Sequence, residues 1–155
     1  MALAYIEKPK RRIDIKYLKK FGLTNSPVIG QLADGKDISW KGKKISAKKA
    51  TYMQPGKKLT YIIDSAYAEN LIGFSKNSDL LVCEATFTNE MKAEAKEYGH
   101  MTAADAATIA KKAHVKKLVI THFSQRYKTS DELLKEAKKI FANTIAAKDF
   151  MQFDI

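Results

Sequence analysis

The chain has 155 residues, of which 45% are hydrophobic, so it can form about one domain with a sizeable core. It contains no apolar run near the length that spans a bilayer, and its first ten residues lack the long apolar segment of a signal peptide. We therefore expect no membrane partner. The single cysteine, Cys83, lies in an apolar run without a partner cysteine, which favours the cytoplasm and a role as a small core side chain.

The net charge of +11 comes from one part of the chain. Residues 1–60 contain 15 Lys and Arg against 4 Asp and Glu, whereas residues 61–155 contain 13 of each class. A basic segment joined to a neutral one favours a polyanionic partner, with RNA or DNA ahead of a membrane surface. A solvated lysine-rich surface is the alternative. Aromatic residues that could stack on bases, but that also suit a core, are interleaved with the basic ones: Tyr5, Tyr17, Phe21, Trp40 and Tyr52.

The first 58 residues predict short elements separated by turns. Strands are expected at 3–7, 38–40, 43–45 and 47–52, and short helices at 15–21 and 27–32. Asp14 is expected to cap the first of these helices, and Gly22 is expected to end it. The sequence also predicts a basic turn at residues 10–12 and a hairpin turn at Lys41-Gly42.

Residues 59–155 predict a regular alternation of strands and helices. Strands are expected at 59–64, 79–84, 118–120 and 150–155, and helices at 69–76, at 89–97, at 103–113 and from 129–132 onward. The strand–helix–strand order over 59–84 is a βαβ unit, which favours a parallel, right-handed connection. Thr102-Ala-Ala-Asp105 is a capping box, and the stripe of alanines that follows it suits close packing on a sheet.

Polar side chains follow three of these apolar strands. Asp64 ends one apolar run, Glu84 ends the next, and His122 lies just past the run 118–120. If the three strands are parallel neighbours, these side chains share the carboxyl edge of one sheet, where open α/β sheets bind their ligands. Each residue taken alone is as well explained as a polar cap of a strand, but three in one chain favour a site.

Asp64 and His122 are suitable ligands for zinc or manganese, but a hydrolytic zinc site normally takes three protein ligands. Of the two other histidines, His114 ends a predicted helix and is explained by the helix dipole. His100 follows Gly99 and precedes a helix, so it could serve as a general acid or as a charge stabiliser. No serine-nucleophile elbow, phosphate-binding loop, dinucleotide fingerprint or CxxC pair is present. These residues alone indicate a basic α/β domain with an incomplete hydrolytic edge.

Four segments keep the order of motifs found in one known family. In chain order they are Ile63-Asp-Ser65 with Glu69-Asn-Leu71, then Cys83-Glu-Ala-Thr-Phe87, Tyr98-Gly-His-Met-Thr-Ala-Ala-Asp-Ala-Ala107 and Val115-Lys-Lys-Leu-Val-Ile-Thr-His-Phe-Ser-Gln-Arg-Tyr127. Together they resemble ribonuclease Z, the tRNA 3′-end endonuclease of the metallo-β-lactamase fold. The resemblance implies an α/β fold that is half of a metallo-β-lactamase-like αββα sandwich, with a mixed sheet and helices packed on one face.

The resemblance also implies roles for five residues. Asp64 would bridge two zinc ions, and His122 would bind one of them. His100 and Glu84 would be the catalytic pair, in which His100 stabilises the transition state or protonates the leaving oxygen and Glu84 orients it. Arg126 would contact phosphate. Two metal ions about 3.5–4 Å apart would clamp the scissile phosphate of precursor tRNA and supply a hydroxide nucleophile.

The chain also departs from the family. Cys83 stands where the family has a histidine, and Ile63 and Ser65 replace the neighbours of the bridging aspartate. The family's His-x-His-x-Asp-His motif, which supplies most metal ligands and the general base, is missing, as is the arm that grips the tRNA elbow. We therefore expect residues 1–155 to be a single C-terminal half-domain, with a basic lobe at 1–58 and a βαβ lobe at 59–155.

The expected partner is an N-terminal half that carries the missing motif, or a second copy in a homodimer. A sheet cut from its other half exposes an apolar edge and face, and such surfaces associate. The metal expected at the complete site is zinc, of which this chain would supply only part of the ligands.

Three functions stay open at this stage. The first is a zinc-dependent endoribonuclease that removes the 3′ trailer from precursor tRNA, with this chain inactive on its own. The second is a half-domain that has lost catalysis and binds RNA through residues 1–60, with the steep salt dependence of phosphate contacts. The third is another metallo-β-lactamase-like phosphodiesterase that acts on small cyclic nucleotides or phosphodiesters.

Overall fold

The computed structural model describes residues 1–155 and divides into two compact units. Met1–Ile6 and Lys57–Ile155 form the first, here called the sheet unit. Glu7–Gly56 form the second, here called the basic unit, which carries 13 Lys and Arg against 4 Asp and Glu. The N-terminal strand thus belongs with the sheet unit, although it precedes the basic residues in the chain.

Nine strands and seven helices make up the chain. The strands are β1 (Ala2–Ile6), β2 (Lys10–Ile13), β3 (Ile38–Trp40), β4 (Lys43–Ile45), β5 (Thr51–Gln54), β6 (Lys58–Ile62), β7 (Leu80–Glu84), β8 (Leu118–Thr121) and β9 (Thr144–Ala146). The helices are α1 (Ile15–Lys19), α2 (Ile29–Ala33), α3 (Ala47–Ala50), α4 (Asn70–Phe74), α5 (Lys92–Glu97), α6 (Ala103–Lys112) and α7 (Asp131–Ile140), with a 3₁₀ turn at Asn89–Met91 before α5.

The sheet unit is built on one five-stranded mixed sheet in the order β1-β6-β7-β8-β9. Strands β6 to β9 run parallel, and β1 pairs antiparallel with β6 at one edge. The prediction that the three strands bearing the polar ends are parallel neighbours is therefore confirmed. Parallel neighbours need crossover connections, and α4 and α6 lie in those between β6 and β7 and between β7 and β8.

One face of the sheet carries the main hydrophobic core. Ala2, Ile62, Cys83, Ile120 and Ala146 form a row across all five strands, and the middle three are fully buried. The same core contains the alanines of α6 and two inward residues of α7, which are fully buried: Ala103, Ala106, Ala107, Ala110, Leu133 and Ala137. The small side chains let α6 approach the sheet closely, as the alanine stripe predicted.

Helix α6 begins with the predicted capping box. The Thr102 hydroxyl accepts a hydrogen bond from the Asp105 amide at 3.1 Å, and the Asp105 carboxylate accepts one from the Thr102 amide at 3.2 Å. These bonds satisfy two backbone donors that the first turn of a helix leaves unpaired. The helix start, and with it the residues just before it, is therefore fixed.

The basic unit has its own small core, built from Leu18, Leu23, Leu32, Ile38 and Ile45. Strands β3 and β4 form the predicted hairpin, and both turn residues, Lys41 and Gly42, have positive φ, at 47° and 75°. This left-handed pair is the geometry of the tight turns that match strand twist. Asp14 caps α1 as predicted, since its carboxylate accepts the Tyr17 amide at 2.9 Å.

Three predicted elements are wrong. The closing strand at 150–155 is absent, and the last strand is instead β9, which pairs in parallel with β8. The turn expected at 10–12 is strand β2, because it pairs antiparallel with β5 and so satisfies its backbone. The strand expected at 47–52 is helix α3 followed by β5; Ala47 and Ala50, both buried, favour the helical turn.

Candidate active site at the carboxyl edge of the sheet

The parallel sheet brings the three strand ends together. Ile62 is the register partner of Cys83, and Glu84 is the partner of Thr121, so the residues that follow β6, β7 and β8 emerge at the same level. These residues include Asp64, Glu84 and His122, as the sequence predicted. The loop before α6 adds His100, because the Met101 carbonyl accepts the amides of Thr86 and Phe87 at 3.0 and 3.3 Å.

Glu84 is the centre of the hydrogen-bond network. Its side chain is fully buried, and its Oε1 accepts the Ser65 amide in a short hydrogen bond. Its Oε2 accepts the Thr86 hydroxyl at 2.8 Å, the Met101 amide at 3.0 Å and Nδ1 of His100 at 3.1 Å. Four donors thus surround one carboxylate, which is what a buried charge needs in order to be stable.

His100 is oriented by Glu84. Because a carboxylate oxygen only accepts hydrogen bonds, Nδ1 of His100 carries the proton and Nε2 is left for another partner. The side chain of His100 is 19% exposed, and its Nδ1 also lies 3.8 Å from Oδ1 of Asp64. The imidazole therefore sits between a buried carboxylate and an exposed one.

His122 is oriented through the hydroxyl of Thr86. The single proton of that hydroxyl is shared between Glu84 at 2.8 Å and the backbone carbonyl of His122 at 2.9 Å, so its oxygen accepts Nδ1–H of His122 at 3.1 Å. Nε2 of His122 is then unprotonated and available as a metal ligand or a proton acceptor. The rings of His122 and His100 lie 5.3 Å apart between centroids, so both imidazoles face one small volume.

Asp64 and His122 share an unusual backbone conformation. Their φ angles are 50° and 59°, in the left-handed region that costs an ordinary residue about 1–2 kcal/mol. The conformation comes two residues after the end of β6 and directly after the end of β8, at the carboxyl edge of the sheet. The side chain of Asp64 is 77% exposed, so its carboxylate is accessible from solvent. Such strained residues collect at functional sites.

The side chains present fit part of a metal site. Ligand atoms of Glu84, His100 and His122 all lie within 4.8 Å of one another. The lone pairs of Glu84 are already taken by its four donors, however, and Nδ1 of His100 is bound to Glu84. Nε2 of His100 and Nε2 of His122 are the atoms of this cluster left free, Asp64 lies outside the cluster, and a hydrolytic zinc site takes three protein ligands. The donor set suits zinc in kind but is one or more ligands short.

Arg126 lies beside this cluster. Its guanidinium stacks over the Phe87 ring at 4.9 Å, and its Nε donates to the Ser124 hydroxyl at 3.2 Å. The Phe87 ring in turn packs edge-on against His100, with 6.1 Å between ring centroids. Arg126 itself is exposed, so its charge is presented to solvent next to the histidines.

Cys83 is a core side chain, as predicted. Burial, and then the nearby charges of Glu84 and Asp105, raise the pKa of its thiol. The thiol stays protonated, and a protonated thiol is neither a good metal ligand nor a nucleophile. The structure therefore assigns Cys83 no part in the chemistry of this site.

Sequence reasoning missed Thr86 and the backbone amides of Ser65 and Met101. Thr86 is 6% exposed and joins Glu84 to His122. Its position two residues after Glu84 is a usable signal, since alternate residues of an extended chain point to the same side. The two amides carry no side-chain signal at all, because any residue provides an N–H.

The comparisons with known proteins follow this geometry. The family model of the beta-lactamase superfamily domain matches residues 39–123, which is more than half of the chain. The chain belongs to the beta-lactamase superfamily. A solved superfamily structure, the metallo-beta-lactamase fold protein YhfI from Bacillus subtilis, is 34% identical with a TM-score of 0.54. The match covers 58% of this chain and 36% of that one, and it confirms the predicted fold class.

Curated superfamily relatives carry the name Ribonuclease Z. The protein from Archaeoglobus fulgidus is 41% identical over 139 residues, which cover 88% of this chain and 45% of the relative. The protein from Sulfolobus acidocaldarius is 40% identical over 147 residues, which cover 95% of this chain and 50% of the relative. The chain thus spans about half the length of the curated relatives it matches, and the predicted likeness to ribonuclease Z is confirmed.

None of the helices is both long enough and apolar enough to cross a membrane.

Proposed function

We propose that this chain is the part of a zinc-dependent, ribonuclease Z-type endoribonuclease that carries the acid–base pair, and that the complete enzyme removes the 3′ trailer from precursor tRNA. The observation that carries the proposal is His100, bound through Nδ1 to the buried Glu84 and flanked by Asp64 and His122. The relatives named Ribonuclease Z support the reaction class.

His100 is the proposed catalytic residue. Its Nδ1–H is fixed by Glu84, so Nε2 is the atom that would face substrate. When both ring nitrogens carry a proton, Nε2 would donate its proton to the departing 3′ oxygen as the P–O bond breaks. Glu84 is a positioning residue in this proposal: its hydrogen bond to Nδ1–H fixes the tautomer of the imidazole, and its buried position holds the ring in place.

Asp64 and His122 are the proposed zinc ligands. When bound, zinc would lower the pKa of an attacking water and neutralise charge on the phosphate. The left-handed backbone at both residues presents the two side chains from the ends of β6 and β8, the strands on either side of β7, and the Thr86 hydroxyl holds Nε2 of His122 free for coordination. The remaining ligands would come from a His-x-His-x-Asp-His motif outside this sequence.

The basic unit and Arg126 are proposed to hold the RNA. The basic unit has an excess of nine positive charges over its 50 residues, which suits the phosphate backbone of a folded RNA. Arg126 is exposed and braced against Phe87, so it can meet a phosphate next to the reacting centre without losing its orientation. Precursor tRNA is the proposed substrate.

A partner is proposed at the N-terminal edge of the sheet. Strand β1 pairs on one side only, and three of its large apolar side chains are more than half exposed: Leu3, Tyr5 and Ile6. The strand contains no charged side chain of the kind that protects exposed edges from further pairing. A chain that supplies the missing histidine motif is the proposed occupant, with homodimerisation as the alternative, in the cytoplasm.

The test is reconstitution of trailer cleavage. The purified chain is mixed with zinc and a separately produced half that carries His-x-His-x-Asp-His, and precursor tRNA is followed by denaturing gel. We expect cleavage that leaves a 3′ hydroxyl only in the mixture, and a loss of at least about 100-fold in His100→Ala. His114→Ala is the matched control, and we expect it to cleave like the parent chain. Absence of cleavage in the mixture would contradict the proposal, and cleavage by the chain alone would contradict the need for a partner.

A second candidate is an RNA-binding half-domain without catalysis, which the charge of the basic unit favours. It predicts RNA affinity that falls steeply between 50 and 200 mM salt, by about 10³ or more if six phosphates are contacted. A flat salt dependence would count against it. A small chromogenic phosphodiester, assayed beside precursor tRNA, separates both candidates from a phosphodiesterase that acts on small substrates.

A further inference from the structure

A cavity of about 220 Å³ opens beside His100. Its wall includes Tyr67 and Ala66 from the loop after β6, Ala95 and Lys96 from α5, and His100 itself. All of these residues belong to the sheet unit, so the cavity is a feature of one compact body. Asp64, Glu84 and His122 do not line the cavity, whereas Lys92 and Asp105 do.

The lining combines the apolar or aromatic side chains of Ala66, Tyr67 and Ala95 with the charged side chains of Asp105 and of two exposed lysines at its rim, Lys92 and Lys96. Ala95 is 2% exposed and leaves room beside the Tyr67 ring, which is 36% exposed and accepts or donates no hydrogen bond within the chain. Of the two lysines at the rim, Lys92 lies 3.5 Å from the Asp105 carboxylate and is partly neutralised. Lys96 forms no ion pair, so its charge is free for an incoming anion.

An aromatic ring with small neighbours and a free cation beside it is the usual arrangement for a nucleotide. Bases stack on tyrosine regardless of their sequence, and a lysine meets the adjoining phosphate. The volume is suited to one nucleoside and too small for a base pair. Since His100 forms part of the wall, a ligand in the cavity contacts the residue that is proposed as the acid.

We propose that this cavity binds the single nucleoside whose 3′ oxygen departs on cleavage, with Tyr67 stacked on its base and Lys96 on a neighbouring phosphate. The inference rests on the proposed function, because it takes His100 as the acid that protonates that oxygen. The nucleoside that carries the leaving oxygen has to lie on the same side as the acid, and the first trailer nucleoside lies across the phosphate from it. The cavity therefore takes the nucleoside on the 3′-oxygen side of the scissile phosphate and does not take the first trailer nucleoside.

The test is an NMR titration of the isotope-labelled full chain with three probes: adenosine 3′-monophosphate, adenosine 5′-monophosphate and inorganic phosphate. We expect the 3′-nucleotide to bind tightest and to shift the signals of Ala66, Tyr67 and Ala95. Tyr67→Ala weakens its binding at least about fivefold, the lower end of the contribution of one base–aromatic stack, whereas Tyr67→Phe keeps it. Lys96→Ala weakens it about two- to fivefold.

The matched controls are Phe150→Ala and Lys111→Ala, which remove an exposed aromatic ring and an exposed lysine outside the cavity and leave binding unchanged. The amide spectrum of each variant shows whether it is folded. Equal binding of the two nucleotides, shifts reproduced by inorganic phosphate alone, or undiminished affinity in a folded Tyr67→Ala each overturn the proposal.

The titration involves no cleavage, so its outcome is separable from that of the reconstitution experiment. Binding of the 3′-nucleotide with no cleavage of precursor tRNA leaves nucleotide binding in the cavity standing, and removes the proposed function together with the part that the cavity plays in cleavage. Cleavage of precursor tRNA by a reconstituted enzyme in which Tyr67→Ala changes neither KM nor nucleotide binding removes the subsite and leaves the function.

Discussion

The amide of Met101 donates a hydrogen bond to Oε2 of Glu84 at 3.0 Å, and both residues are fully buried. This bond joins the loop before α6 to the end of β7. It comes directly after His100, whose own Nδ1 is bound to the same oxygen at 3.1 Å. His100 is therefore held twice, once through its ring and once through the backbone of the next residue, and its orientation is set before any substrate binds.

Replacing Glu84 by glutamine tests this arrangement. The amide group of glutamine brings two N–H groups to a place where four donors already converge, so at least one buried donor loses its acceptor. We expect a loss of about 1–3 kcal/mol in the free energy of unfolding, measured by urea denaturation. We also expect His100 to lose its single tautomer, which ¹⁵N NMR of the imidazole reports. Glu90→Gln, at an exposed position, is the control and should change neither. A fully stable Glu84→Gln with an unchanged imidazole spectrum would show that Glu84 does not orient His100.

Thr86→Val removes the hydroxyl that links Glu84 to His122. Valine has nearly the same shape, so the packing is kept while Nδ1 of His122 loses its partner. We expect a mixture of tautomers at His122 in ¹⁵N NMR, and a loss of about 1–2 kcal/mol of stability. Thr108→Val is a suitable comparison, because the hydroxyl of Thr108 bonds only to a carbonyl of its own helix. A His122 spectrum identical in the two variants would rule out the hydroxyl link.

Asp79 is expected to give the sheet unit an acid-sensitive contribution to its stability. Burial raises the pKa of this carboxyl, but hydrogen bonds from the Lys116 side chain and the Lys58 amide, and the charges of Lys116 and Lys57, outweigh burial, so that the pKa lies below its ordinary value of 3.8. A depressed folded pKa means that the contribution is present above pH 3.8 and is lost as the pH falls through the lower, folded value.

The measurement is the free energy of unfolding of the parent chain and of Asp79→Asn between pH 7 and pH 2.5. We expect a difference of about 1 kcal/mol at pH 7 that shrinks towards zero at the acid end. Asp149→Asn, at an exposed position in the same unit, should track the parent chain at every pH. A difference that stayed constant with pH would mean that the charge of Asp79 contributes nothing.

Ala107→Leu tests the close approach of α6 to the sheet. Ala107 is fully buried in the main core, and a leucine there has to displace its neighbours. We expect a loss of about 1–3 kcal/mol of stability by thermal or urea unfolding. Ala93→Leu, on the exposed side of α5, makes the same chemical change without crowding and should be close to neutral. Equal stability of both variants would indicate a loosely packed interface.

Much of the sheet unit could be predicted from sequence because its strands are unbroken apolar runs. The runs before Asp64, Glu84 and His122 carry enough local signal to identify strands, and the helix between them enforces a parallel arrangement. Strand β9 could not be predicted in this way. Threonine and isoleucine favour strands, but Thr144–Ala146 is only three residues long, too short to show an alternating pattern, and it becomes a strand through pairing with β8.

The candidate site also has a part that local sequence signals identify and a part that depends on tertiary contacts. Its ionisable residues could be predicted, since each follows an apolar run or precedes a capping box. The network that orients them could not, because it depends on the backbone amides of Ser65 and Met101 and on a threonine that reads as an ordinary strand residue. Strand β2 could not be predicted for a similar reason, since a run of three basic residues has no strand pattern of its own and forms a strand by pairing with β5.

The convergence of donors on Glu84 has a consequence for how this region opens. Amide protons of Ser65 and Met101, far apart along the chain, end on the two oxygens of a single buried group. Neither proton can reach solvent without disturbing the acceptor of the other. In native-state hydrogen exchange, the amides of Ser65 and Met101 should therefore show the same free energy of opening, because the two segments open and close as one cooperative unit.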